Sequence, residues 1–139
     1  MSESPCQPKD FRSPPALKVA MMPRDANVHQ TIFGGVILSY IDLAGAAHCR
    51  QDGCERCVTI AMKEVEFKEP VFVGDLVSFF CKTMRIGRTS ITVDIEVWAD
   101  RFEKPHQCVR VTEAIVTYVN VDEHRRPVPI PRKGGEAEP

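Results

Sequence analysis

Neither sign of charge is in excess: 18 Lys and Arg stand against 19 Asp and Glu, a formal net charge of -1 over 139 residues. A broad basic surface of the kind that tracks a phosphate backbone is therefore excluded, and any anion site has to be local. Long apolar runs are lacking too. None approaches the roughly 20 residues of a membrane-spanning helix, and the opening stretch MSESPCQPKDFRSPP has neither the cationic nor the apolar region of a secretory leader. These absences predict a cytoplasmic protein with no membrane or nucleic-acid partner. Cysteine is present, but a paired pattern is not. Cys6, Cys49, Cys54, Cys57, Cys81 and Cys108 are scattered through a chain with ample apolar residues, so reduced thiols are expected and not a disulfide framework. His48, Cys49, Cys54 and Cys57 have the one ligand-like spacing, C-x4-C-x2-C. They lack a second well-spaced pair and Cys49 falls at a helix end, so the expectation is small residues around a helix-to-strand turn and no metal.

A chain of this length suits one domain, which buries about two-thirds of the surface its extended form exposes. Residues 1–15, rich in Pro, Ser and charge, and residues 132–139 (RKGGEAEP) have little to bury and are expected to be poorly ordered ends. A single domain is expected over residues 16–131. Within it, Gly34-Gly35 opens an apolar stretch that reaches about Arg50 without a proline, and this predicts one long helix. Val36, Ile37, Tyr40, Ile41 and Ala44 lie on one side and Leu38 and Leu43 on others, so the helix is expected to be buried nearly all round. Ser39, Asp42 and Ala46 form a narrow stripe of small or polar residues along it.

Elsewhere the period is two. A short strand is expected at Leu17–Met22, then long ones at Val58–Phe67, Leu76–Ile86, Thr89–Ala99 and Cys108–Val121, separated by Pro70, Gly74 and the turn Gly87-Arg88. Ile91, Val93, Ile95 and Val97 alternate with polar residues; Val109, Val111, Ile115, Val119 and Val121 repeat the pattern. Apolar residues at Phe80, Trp98, Val116 and Tyr118 are read as a second, outer face covered by another subunit. One buried helix and about five long antiparallel strands predict an α+β domain in which the sheet curls around the helix.

Asp42 is the anomaly, because an unpaired carboxylate in apolar surroundings costs several kcal/mol. Two explanations stay open on the residues alone: a carboxylate tied to a hydroxyl or amide for structure, or a general base. Gly34-Gly35 is open in the same way. It permits a sharp helix entry, and it also lets a substrate oxygen approach free helix amides, where the dipole favours negative charge.

The segments Met22-Pro23, Asp25-Ala26-Asn27, Ile32-Phe33-Gly34-Gly35, Ser39 to Ala46, Thr59, Phe67 to Pro70, Val73-Gly74-Asp75, Gly87 to Ser90 and Ile130-Pro131-Arg132 together span about residues 16–132. In these the chain resembles the hotdog-fold acyl-CoA thioesterases of the YciA type, related to the brain cytosolic acyl-CoA hydrolase. The resemblance implies a hotdog fold, hydrolysis of acyl-CoA thioesters, coenzyme A as part of substrate and product with no separate cofactor, and a homodimer or a hexamer built as a trimer of dimers. It implies sites between subunits, with Asn27 and Gly35 from one chain and Asp42 from the other. Asp42 is then the base for the attacking water, with direct carboxylate attack as the alternative. Asn27 orients water or carbonyl, and Thr59 holds the carboxylate or the water by its hydroxyl.

Coenzyme A carries phosphates, and in the relatives the turn corresponding to Gly87, Arg88, Thr89 and Ser90 approaches it. Arg132, with Lys133, is a second cationic candidate. One departure is the loop at Val28-His29-Gln30: relatives usually carry Gly at the position of Gln30, so the backbone here is expected to follow its own path, and His29 is read as a solvated loop residue. The rival enzyme is a hotdog hydratase or dehydratase using Asp25 and His29 as its acid-base pair, which leaves Asp42 without a task. A non-catalytic acyl-CoA-binding protein is the third reading.

Overall fold

Good helix formers without an internal proline give the one long helix, α1 (Gly34–Gln51), in the computed structural model, which describes residues 6–105 and 107–131. Five strands surround it: β1 (Leu17–Ala20), β2 (Cys57–Lys63), β3 (Leu76–Ile86), β4 (Ser90–Asp100) and β5 (Cys108–Asn120). A single 3-10 turn, Pro23–Asp25, precedes the helix. All neighbouring strands pair antiparallel, in the order β1-β3-β4-β5-β2, and the sheet curls around α1 in the hotdog arrangement. The core is the seam between them. Ile91, Val93, Ile95, Val97 and Ala99, alternate residues of β4, are fully buried against Ile37, Ile41 and Ala44 of the helix.

Three bulges interrupt the alternation, and each re-aims the residues beyond it. In β2 the register skips between Thr59 and Ala61; in β3 it skips between Thr83 and Arg85. Against β4, the partner of Val97 is Thr112 and that of Trp98 is Arg110, which leaves Val111 as the extra residue of β5. Beyond Val111 the parity of β5 is therefore reversed. Thr112, Ala114, Val116, Tyr118 and Asn120 point inward, so Val116 and Tyr118 belong to the core and not to the outer face expected for them.

The outer face differs from expectation in a second way. Phe80 is covered by the chain's own leading segment: Phe11, 4 % exposed, packs edge-on to its ring at 6.4 Å between centroids, and Lys82 lies over Phe11. The same segment carries Cys6 across to the start of β5, where it forms a disulfide with Cys108. The expectation of reduced thiols is thus corrected for these two; Cys49, Cys54, Cys57 and Cys81 are free. The pairing joins residues 102 apart, and spacing along the chain gives no hint of it.

The helix is buried on one face only. Ile37, Ile41, Ala44, Gly45 and Cys49 meet the sheet, whereas Gly34, Gly35, Ser39, Ala47 and Leu43, 55 % exposed, look away from it. The neighbouring edge strand β2 is similarly bare, with Val58 42 % and Ile60 59 % exposed.

Candidate active site

At the start of α1, Phe33 occupies the N-cap with an extended backbone and no side-chain cap. Val36 N–H turns back to the Phe33 carbonyl at 3.0 Å, which leaves the amides of Gly34 and Gly35 as the ones with no backbone acceptor among the described residues, and the helix dipole adds partial positive charge there. The two glycines are not equivalent. A Cβ at Gly34 would lie 3.4 Å from the Phe67 ring, whereas at Gly35 nothing stands within 4 Å. Gly35 is thus the open one: the space a side chain would fill there is clear of neighbouring atoms.

Asp42 sits two turns further on, half-buried, where α1 borders β2. Thr59 Oγ1 donates to Asp42 Oδ1 at 2.5 Å. Thr59 is the last residue before the β2 bulge, and the irregularity lets it reach the helix from an edge strand. Beneath, the Tyr118 hydroxyl donates to the Asp42 carbonyl oxygen at 2.8 Å. Tyr118 crosses under the helix at Gly45, where any Cβ would collide with the hydroxyl. Burial first, and the Asp42 charge second, hold the Tyr118 phenol above its usual range, so it stays protonated and stays a donor. Asp42 and Thr59 are brought together. Gly35 and Asp42 are not: seven residues of helix put about 10 Å between them along the axis.

Asn27 organises its own loop. Its Oδ1 accepts from the amides of His29 at 2.9 Å and Thr31 at 3.2 Å, and its Nδ2 donates to Thr31 Oγ1 at 2.8 Å. Of its two Nδ2 protons, one stays uncommitted. Gln30 adopts φ of 68°, the left-handed region where glycine is easiest. The loop is fastened to the next segment by Ile32 N–H donating to the Val71 carbonyl at 2.8 Å. Asp25 and His29 form no pair: the Asp25 carboxylate accepts from the Met22 amide at 3.1 Å, and His29 stands exposed.

The turn after β3 is pinned from behind. Gly87 N–H donates to the Ser90 carbonyl at 2.7 Å, while the carbonyls of Arg88 and Thr89 accept from the amides of Ile130 at 2.9 Å and Asn120 at 2.8 Å. Arg88 itself is exposed, and it is not among the residues, Arg50, Arg56, Asn120 and Pro129 among them, that line a cleft of about 710 Å³ at the C-terminal end of α1. Arg132 and Lys133 lie outside the described residues.

The cysteine cluster is a thiol contact. Cys57 Sγ donates to Cys54 Sγ at 2.7 Å, and burial pushes the Cys54 thiol up to about 12. His48 turns away from it to Thr83 Oγ1 at 2.8 Å. Among the described residues no three His, Cys, Asp or Glu side chains are arranged to hold a metal ion, and no helix among them is long and apolar enough to cross a membrane.

Two contributors escape a reading of the sequence. The bulge at Val111 puts Tyr118 on the face opposite to the one its spacing suggests, and nothing in the spacing tells that Phe67 folds back onto Gly34. A third group is structural. Buried Asp75 accepts from Arg101 Nη1 at 2.6 Å and from the amides of Phe72 and Phe102, closing the loop against which the Asn27 loop leans. The Val73-Gly74-Asp75 turn was the available signal for it.

The sequence pattern of the thioesterase superfamily matches residues 29–104. The chain is 37 % identical over 120 residues to the acyl-CoA thioester hydrolase YciA of Salmonella typhimurium, covering 85 % of this chain and 90 % of that protein. Among solved structures it is similar to a hexameric hotdog-fold thioesterase of Campylobacter jejuni, with 48 % identity, a TM-score of 0.80 and coverage of 85 % and 90 %. It is also similar to a hexameric thioesterase from Yersinia pestis, with 36 % identity, a TM-score of 0.81 and coverage of 86 % and 97 %.

Proposed function

Because this chain belongs to the thioesterase superfamily, as an acyl-CoA thioester hydrolase, we propose that its active site is completed by a second copy, with Gly35 of one chain facing Asp42 of the other. Two helices packed antiparallel through their uncovered faces remove the separation of about 10 Å that keeps Gly35 and Asp42 apart within one chain. The bare residues Leu43, Val58 and Ile60 supply the apolar contact such packing requires. This also accounts for a helix that is apolar on more sides than its own sheet covers.

The chemistry is set by these groups. Thr59 occupies one oxygen of Asp42, which fixes the carboxylate and leaves the other oxygen to take a proton from water. The resulting hydroxide attacks the thioester carbonyl carbon, and the oxygen that becomes negative is held by the Gly35 amide at the helix start. Collapse of the tetrahedral intermediate expels the coenzyme A thiolate, which is reprotonated, and releases the free acid. The spare Nδ2 proton of Asn27 makes it a donor toward the carbonyl oxygen or the water. No cofactor enters this scheme. Arg88, with Gly87, Thr89, Ser90 and Arg132, holds the coenzyme's phosphates, and the assembly is a trimer of dimers. A cytoplasmic setting is part of the reading, although a disulfide such as Cys6–Cys108 is unusual there.

The observation that carries this reading is the half-buried Asp42 carboxylate fastened by Thr59 on an uncovered helix face. The test is thiol release from a panel of acyl-CoA thioesters, monitored with a disulfide reagent, for the native chain and for Asp42→Asn with its fold checked by circular dichroism. Loss of about 10²-fold to 10⁴-fold in kcat is expected from removing a general base. Undiminished turnover in a folded Asp42→Asn protein overturns the mechanism, and a change in enoyl absorbance without thiol release favours the hydratase.

A further inference from the structure

We propose that Phe67 is the residue that reads the acyl group next to the thioester, selecting chains unbranched at C2. The proposal rests on Gly35 being where the thioester carbonyl docks. Residues 64–70 belong to no helix or strand, yet the backbone is fastened on both sides of Phe67. Fully buried Thr112 donates its hydroxyl to the Glu66 carbonyl at 2.6 Å, and Lys68 N–H donates to the Val111 carbonyl at 2.8 Å. Both anchors come from the bulge of β5.

The ring so held lies over Gly34, 3.4 Å from the position of a Cβ there, and remains 44 % exposed. It stands one residue from Gly35, where the space a side chain would fill is clear of any atom within 4 Å. Burying this ring fully would have been favourable, and leaving a large apolar surface bare costs hydrophobic stabilisation. A substrate whose carbonyl oxygen sits on the Gly35 amide brings its C2 and C3 carbons against that surface. The burial of the ring is then completed by the acyl chain, and water is kept from the reacting carbon except along the side of the base. The backbone anchors hold in place the segment that carries the ring, so a methyl branch at C2 is turned against it.

The test compares kcat/KM for a straight-chain acyl-CoA and its 2-methyl-branched counterpart on the native chain, Phe67→Ala and Phe67→Leu. The native chain is expected to favour the straight substrate. Phe67→Ala is expected to lower turnover of that substrate about tenfold or more while leaving or raising the branched one, narrowing the ratio at least about tenfold, as loss of a pocket wall does. Phe67→Leu, which keeps apolar cover over Gly34 and guards against misfolding of the first variant, is expected to fall between. The proposal is overturned if the native chain shows no preference, or if both variants keep the native ratio or lose both substrates in proportion. Failure of the underlying reading registers elsewhere: a Gly35→Ala protein with full activity sinks the docking site whatever the Phe67 ratio shows.

Discussion

At the scale of single residues, Gly35 and His48 lend themselves to clean measurements. Nothing surrounds a Cβ at Gly35, and alanine is a better helix former than glycine, so Gly35→Ala is expected to leave the melting temperature unchanged or raise it slightly. Its kcat/KM is expected to drop about tenfold or more, because the methyl group stands where the thioester oxygen approaches a hydrogen-bond donor of the kind described for oxyanion sites. His48 offers a pH signature. Thr83 gives its hydroxyl proton to Asp52 Oδ2 at 2.7 Å, so it accepts from His48, whose Nε2 carries hydrogen. Burial lowers the imidazole from its usual 6.5, with Asp52 opposing in part. The unfolded chain therefore takes up the proton at higher pH than the folded one. Stability is full above about 6.5 and is lost as pH falls from there toward the depressed folded value. Urea titrations across that window are expected to show this slope in the native chain and a flatter one in His48→Gln. The Asp42–Thr59 pair was legible in the sequence because a carboxylate in an apolar helix demands a partner and a threonine opened the next strand. The Asn27 interactions were not, since they depend on the left-handed turn at Gln30.

At the scale of elements, the helix, β3, β4 and β5 were readable from periodicity to within a residue or two at their ends, whereas the strand expected over Val58–Phe67 stops at Lys63 and residues 64–70 follow as irregular chain. What periodicity does not carry is the change of parity at a bulge. Val109 and Val111 suggest one inward face for β5, but the extra residue at Val111 hands that face to Ala114, Val116 and Tyr118. The same reversal puts Thr112 and the Val111 carbonyl where they grip the segment carrying Phe67. Tyr118 also explains Gly45, a glycine in mid-helix that propensity alone would count as a defect. Gly45→Ala adds a methyl into the Tyr118 hydroxyl and the Ile95 side chain. It is expected to destabilise the fold by about 1 to 3 kcal/mol through overpacking despite the gain in helix propensity, a sign that thermal or urea unfolding can check.

At the scale of the whole molecule, the bare side of α1 and the bare edge strand β2 are continuous in apolar character. Ile60 is 59 % exposed in the single chain, so Ile60→Lys costs the isolated fold little. A lysine on a strand edge does oppose edge-to-edge association. The variant is expected to elute as a smaller species with unchanged circular dichroism and to lose thioester hydrolysis along with its partner. Retained activity in a monomeric Ile60→Lys protein contradicts a site shared between copies. The uncovered helix face was hinted at by sequence, as apolar residues on too many sides, but one chain's residues do not say which surface is reserved for another copy.

The link between Cys6 and Cys108 turns residues 6–108 into a covalent ring, from which the chain continues through β5. A tryptic cut after exposed Arg56 opens that ring without releasing a piece, so the nicked protein keeps its intact mass, plus one water, until thiol is added. Electrophoresis of the same digest without and then with reductant reports on ring closure directly, one band in the first condition parting into two in the second.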